Sequence, residues 1–380
     1  MVKETSTLET TDSSTQKNKT NWKSQAGQLL SGGLFGFLLV SYYFRHDVTF
    51  SATSALLILV IAIISFIAGV IIHELGHAVA GKLSGMTIMN LSFGPFIYAK
   101  TGGQSRFFFK LPAMGYVGRA MLRFAQPISE SQMRKSMIRL FYGGPLSNLV
   151  IGLPLLATSF YYGWSGWFVF ALINIFFGLT NLANIEGAGV QSDGRVIAML
   201  NGKLPGDDLI LVSYQILQED PQGEGNWSEE TAEKVKSVIE RYPGWPLAAT
   251  LLSTVGPYYY HSNPHAYLDL AEGRSFLPRD KRAGILQDIA DISVATGYYY
   301  ADRLKTEPTM KEKLHQIGTQ ETVTRHMRDM YVAIIEGNRN HALTSNYAAE
   351  AALGDWHPLY LEGSSLKRVL REIRQDVKSS

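Results

Sequence analysis

The chain has 380 residues, a formal net charge of +2 and no cysteine. The lack of cysteine excludes disulfides, thiol nucleophiles and cysteine zinc sites together, so any metal must be held by His, Asp or Glu. The small net charge, with no basic stripe carrying interleaved aromatics, sets nucleic acid aside as a partner.

Residues 1–24 are rich in Thr, Ser, Lys and Gln and lack the apolar content to bury a core, so a disordered tail is expected. A cleaved signal peptide is not expected, because the tail is long and no small-residue cleavage site follows. The first apolar run, 29–44, is short for a bilayer crossing. Gly32 and Gly36 would let another helix approach closely, and Trp22, Tyr42 and Tyr43 sit where interface aromatics belong. An interfacial or re-entrant helix is the competing reading; a span gives the more consistent topology.

A second span begins at Ala52 and runs uncharged to Ile72. Its 21 residues rise about 32 Å as a helix, close to one hydrocarbon thickness. Ser65 and Gly69 repeat the small-residue spacing of packed membrane helices. The span ends in His73-Glu74-Leu75-Gly76-His77. Residues four apart share a helix face, so His73 and His77 can reach one zinc ion. Glu74 is rotated about 100° from His73, beside the metal, where it can take a proton from zinc-bound water. Two histidines capping a helix end is the plainer alternative, but a His-Glu-His cluster at a membrane span is costly and points to function.

Between residues 80 and 136 there are eight bases and one acid, Glu130, which marks a cytoplasmic segment. Residues 88–98 and 106–117, around Thr101-Gly102-Gly103-Gln104, read as a β-hairpin. It is either a plain hairpin lying on the membrane or a sheet edge able to pair with an extended substrate. A third span, 138–162, contains Gly143-Gly144-Pro145-Leu146-Ser147-Asn148; Asn148 should face protein, and a packing point suffices to explain it. Trp164 and Trp167 fit the outer interface. The fourth span, 167–182, has one interior amide, Asn174. With the tail inside, four crossings bring Asp193 out on the side of His77, where a carboxylate can complete a three-ligand zinc site. An exposed Asp-Gly turn is the competing reading.

His73-Glu74-Leu75-Gly76-His77, Gly143-Gly144-Pro145-Leu146-Ser147-Asn148 and Ser192-Asp193-Gly194, in that order, resemble the site-2-protease-type intramembrane zinc metalloproteases of peptidase family M50. The resemblance covers about residues 50–200. It implies a three-helix catalytic core with zinc on His73, His77 and Asp193 and with Glu74 as base and proton shuttle. It suggests that Asn148 holds the substrate backbone or the developing oxyanion. Met114-Gly115-Tyr116-Val117 is similar to part of the family's membrane-associated β region. Two departures stand out: Ser192 replaces the Leu common before the Asp-Gly pair, and the Pro-rich run that often precedes it is absent. No PDZ-like insert fits between the spans.

Beyond residue 200 no further span-length apolar run appears. Pro205-Gly206-Asp207 and Asn226-Trp227-Ser228-Glu229-Glu230 read as helix entries. Gly256-Pro257-Tyr258-Tyr259-Tyr260 and Gly297-Tyr298-Tyr299-Tyr300, forty residues apart, hint at helix-hairpin repeats. Their tyrosines suit packing better than a peptide groove. His261 and His265 have metal spacing, but Pro264 lies between them and no Glu follows, so they read as surface residues. Residues 366–377 look like a charged terminal helix.

The expected fold is mainly α: a polytopic membrane helix bundle of about four spans, a membrane-associated β-hairpin region, and a helical, repeat-like soluble domain. The expected division is a tail (1–24), a membrane-embedded zinc protease domain (25–200) and a cytosolic helical domain (201–380). The expected activity is hydrolysis of membrane-embedded or membrane-adjacent peptides, with Zn2+ as cofactor. The expected partners are the substrate, the lipid bilayer and a protein held by the helical domain. The setting would be a cell membrane, with both termini cytoplasmic, and a bacterial inner membrane fits best. The rivals are a non-catalytic scaffold that keeps the zinc site and a metal-ion carrier, which would call for more polar residues in the spans.

Overall fold

The computed structural model describes residues 41–42, 45–46, 52–101, 104–109, 118–163, 165–187, 190–220, 223–242, 245–277, 284–354 and 363–380. Among these residues three helices are long and apolar enough to cross a membrane: α1 (Ala52–Leu83), α2 (Glu130–Tyr162) and α3 (Ser165–Leu182). The expected tail, and the expected first crossing at 29–44 except residues 41–42, lie outside the described residues. Residues 41–42 are helical, and the Tyr42 ring stacks on Phe168 of α3 at 3.9 Å.

Helix α1 has 32 residues, about 48 Å of rise, so the histidine motif lies inside the helix and not at its end. Leu56, Leu59, Ile63 and Ile67 stay exposed, which suits a face turned to lipid. The other face meets α2 where Gly76 and Gly143 oppose each other. A Cβ on Gly143 would overlap the Gly76 carbonyl, and a Cβ on Gly76 would overlap the Gly143 carbonyl. Small residues therefore set this helix separation. Helix α2 starts in a capping box of Ser129 and Gln132, ends at Gly163 with φ +74°, and continues through Pro145 and Pro154. Gly143-Gly144-Pro145 thus permits close contact without interrupting the helix.

Four antiparallel strands follow α1: β1 (Met86–Phe93), β2 (Phe96–Thr101), β3 (Gln104–Phe109) and β4 (Gly118–Phe124), in the order β3-β2-β1-β4. The expected single strand over 88–98 is divided. Gly94 adopts φ +53° and Pro95 has no amide proton, so the chain turns there and Phe93 pairs with Phe96. Residues 114–117 lie outside the described set. Strand β4 pairs with β1 from Met86–Phe124 to Phe93–Gly118, with a bulge between Ile88 and Asn90.

After α3, a two-residue ladder, β5 (Glu186–Gly187) with β6 (Val190–Gln191), leads into α4 (Asp193–Leu200). The remaining helices are α5 (Asp207–Glu219), α6 (Glu229–Arg241), α7 (Pro246–Tyr259), α8 (Pro264–Ala271), α9 (Ile285–Tyr300), α10 (Met310–His315), α11 (Thr322–Ile335), α12 (Arg339–Leu353) and α13 (Gly363–Ser379). They run from 6 to 17 residues, which lends no support to a regular hairpin repeat. The two tyrosine triplets close α7 and α9, and Tyr260 stacks on Tyr300 at 5.4 Å.

Two apolar cores matter for the site. One joins Leu122 and Phe124 of β4, Met133, Met137 and Leu140 of α2, and Val196, Met199 and Leu200 of α4 to Ile210 and Leu211 of α5. The other lies wholly within α5–α13. The first core crosses the boundary expected at residue 200. Arg134 of α2 reinforces it, donating to the Leu200 carbonyl at 2.9 Å and pairing with Asp207 at 2.7 Å.

Candidate metal centre

His73 and His77 project from one face of α1, and each ring is fixed by its Nδ1. The Nδ1 of His77 is 2.8 Å from the Leu140 carbonyl, which can only accept, so Nδ1 donates. The Nδ1 of His73 is 2.8 Å from Asn148 Oδ1. The amide of Asn148 cannot be flipped, because its nitrogen donates to the Gly69 carbonyl at 2.9 Å. His73 Nδ1 is therefore also a donor. In the neutral rings both Nε2 atoms then carry lone pairs, and they face each other at 3.2 Å.

Asp193 is brought to them by its two neighbours. Ser192 caps α4: its hydroxyl accepts from Arg195 N–H and Ile185 N–H at 3.0 Å and donates to the Ala183 carbonyl. That makes Asp193 the first residue of the helix, where a carboxylate suits the helix dipole. A Cβ on Gly194 would overlap the Leu182 carbonyl, so only glycine lets α4 start against the end of α3. The serine that departs from the family pattern is thus the helix cap.

Asp193 Oδ2 lies 3.1 Å from His73 Nε2 and 3.5 Å from His77 Nε2, with side chains 13%, 12% and 10% exposed respectively. That oxygen is buried and receives no hydrogen bond. Three lone-pair-bearing atoms this close repel unless a proton or a cation sits between them. Tetrahedral zinc with bonds of about 2.0 Å needs donor atoms about 3.3 Å apart, so the separations, the donor types and the exposure all fit the metal. Among the described residues this is the one cluster of three metal-capable side chains. His261 and His265 are exposed and take no part. To serve as a ligand, Asp193 must be in its carboxylate form.

Glu74 is 7% exposed. A Cβ on Gly118 would overlap its Oε1, so the bare backbone at the start of β4 makes room for the carboxylate. The sheet thus closes the site opposite α2. Beyond Gly118, a cavity of about 210 Å³ is lined by Arg119, Ala120 and Met121 of β4 and by Tyr214, Leu217 and Thr250 of the helical domain. Successive strand residues point to opposite faces, so a cavity touching three in a row runs along the strand's edge. Among the described residues no strand pairs with that edge. Burial pushes the Tyr214 phenol up to about 12.

All five residues singled out by sequence, His73, Glu74, His77, Asn148 and Asp193, meet around one point, though in different capacities. Asn148 is fully buried and its amide hydrogens go to Gly69 and to Asn174 Oδ1 at 2.9 Å, which leaves no N–H for an oxyanion. Gly118 and the Leu140 carbonyl had no signal in the sequence. Asn174 had one, as the one interior amide of the fourth predicted span.

Helices long and apolar enough to cross a membrane thus join α4 in bringing together His73, His77 and Asp193, a group that could hold a metal ion, beside the buried Glu74. The sequence model of peptidase family M50 matches residues 61–241, the segment that carries every residue of the site. That match supports the site-2-protease type of family, which implies a metallopeptidase. No curated protein and no solved structure matches the chain.

Proposed function

We propose that the protein is an intramembrane zinc metalloprotease cutting membrane-embedded or membrane-adjacent proteins or peptides. The observation that carries this reading is the convergence of His73, His77 and Asp193, with unshared lone pairs 3.1–3.5 Å apart, next to a buried glutamate. Zinc, when bound there, supplies Lewis acidity, polarising a peptide carbonyl and lowering the pKa of water towards about 7. Glu74 takes the proton from the attacking water and returns it to the leaving amine. The open edge of β4 supports an extended substrate: a peptide added there gains backbone hydrogen bonds and passes Glu74 at Gly118. A helical substrate must unwind first, because each of its peptide groups is already hydrogen-bonded.

The excess of bases between residues 80 and 136 supports a cytoplasmic side for that segment and for the site beside it; our reading extends this to a multi-pass protein with both termini cytoplasmic, and the absence of cysteine and the short loops favour a bacterial inner membrane. The helical domain forms one wall of the edge cavity, so it is suited to gating access or to holding a protein partner. The alternative is a scaffold that binds zinc without cutting. Replacing Glu74 by Gln separates the two. The protease reading expects the E74Q protein to bind zinc normally, lose cleavage of a single-span reporter, and retain substrates that co-purify. Undiminished cleavage by E74Q would refute it.

A further inference from the structure

The side of the metal centre away from Asp193 is held by a chain of amides. Asn148 Oδ1 accepts from His73 Nδ1 at 2.8 Å. Asn148 Nδ2 donates to Asn174 Oδ1 at 2.9 Å, and Asn174 Nδ2 donates to the Phe170 carbonyl at 2.9 Å. Both asparagines are fully buried, at 0% exposure. The chain begins on α1, crosses α2 and ends on α3.

Each orientation in this chain is forced. The carbonyls of Phe170 and Gly69 can only accept, so each amide must turn its nitrogen to them. Asn174 then presents oxygen to Asn148, and Asn148 presents oxygen to His73. The imidazole is thereby fixed in the tautomer whose Nε2 lone pair faces His77 and Asp193. A carboxylate could do the same for His73, but it would place a second charge in the span, where charge is costly. Two neutral amides hold the tautomer without it.

We propose that Asn148 and Asn174 are a positioning pair for His73, through which α3, a helix with no ligand of its own, sets the affinity of the site for its metal. Resting only on the metal-binding part of the protease reading, the pair explains why the fourth predicted span keeps an amide among apolar residues. With Asn174 replaced by Leu, Asn148 keeps the Gly69 contact but loses its second acceptor, and both its carbonyl and the His73 ring gain freedom to turn. With Asn174 replaced by Asp, an oxygen still faces Asn148 whether the carboxyl is protonated or not.

The test uses the full chain in detergent or nanodiscs and metal alone as the probe. Zn2+ affinity is measured by competition with a chelator, and Co2+ is bound to read the ligand geometry from its visible spectrum. The expected result is that N174L weakens Zn2+ binding about ten- to a hundredfold, the usual effect of losing an outer-sphere partner, and changes the Co2+ spectrum. N174D should stay within a few-fold of the unaltered protein, and N148L should lose at least as much as N174L. Circular dichroism confirms that each variant is folded; should N174L not fold, N174A carries the same expectation. Unaltered affinity and an unaltered Co2+ spectrum in folded N174L or N174A would overturn the proposal, as would an N174D loss equal to that of N174L. An unaltered protein that binds no metal refutes the metal reading itself, a different outcome from a variant that binds as well as its parent.

Discussion

The Glu74 carboxylate can lie where it does because residue 118 has no side chain. A Cβ there would overlap Oε1, while His73, His77 and Asp193 are reached from α1 and α4 and not through β4. Gly118→Val should therefore displace Glu74, the proposed general base, and leave the three proposed ligands in place. Turnover of a peptide reporter is expected to fall about a hundredfold or more, the scale of general-base catalysis, with zinc content by elemental analysis unchanged. Loss of zinc along with activity would mean that the sheet supports the ligands too. Residues of this kind mark how far the sequence could be read. The histidine pair and its glutamate are legible because helical periodicity fixes their relation within five residues. Asp193 is reached in the sequence by counting crossings and by the resemblance of Ser192-Asp193-Gly194, whereas its route to the candidate metal site depends on the Ser192 cap and the Gly194 contact, which are long-range facts. Gly118 lies 44 residues from Glu74 in a segment whose turns hide the strand order, so nothing local connects the two.

At the level of elements, the helix contact at Gly76 and Gly143 governs the site, because His73 and His77 ride on α1 while their Nδ1 partners, Asn148 and the Leu140 carbonyl, ride on α2. Ser147 adds a tie, donating to the Ile72 carbonyl at 2.9 Å. Gly143→Val should push the two helices apart, with a cost of about 1–3 kcal/mol typical of overpacking. It should also lengthen both imidazole hydrogen bonds at once, so zinc affinity and melting temperature are expected to fall together. A variant with lowered melting temperature and full zinc affinity would show that the imidazoles do not depend on α2. The spans themselves were readable from apolar run length, but their true extents were not. Helix α1 continues to Leu83 and α2 begins at Glu130, beyond the apolar runs, because polar turns remain helical once they are packed and capped. The expected hairpin became four strands for the opposite reason: Gly94-Pro95 is a short turn signal set inside a run of strand-forming residues.

Over the whole molecule, the metal centre and the helical domain are joined by one shared core, and α5 shows how the two are kept apart energetically. Its Leu209 faces the core of the helical domain, while Leu211 faces the core that holds α4, β4 and α2. Both are buried, at 0% and 6% exposure. Truncating either to alanine removes comparable apolar surface, at a cost of about 2–5 kcal/mol. Their consequences should differ. Leu211→Ala loosens the packing beneath Met199 and Leu200, hence the helix whose first residue is Asp193, so zinc affinity should drop with stability. Leu209→Ala should lower the melting temperature of the helical domain and leave zinc affinity within a few-fold of the parent. Chelator-competition titrations and thermal melts on the two variants, in the same detergent, decide the matter. Equal losses of affinity would mean that the two cores act as one and that the helical domain stabilises the metal site as a whole; a difference confined to Leu211→Ala locates the coupling in the layer that α5 lays over α4.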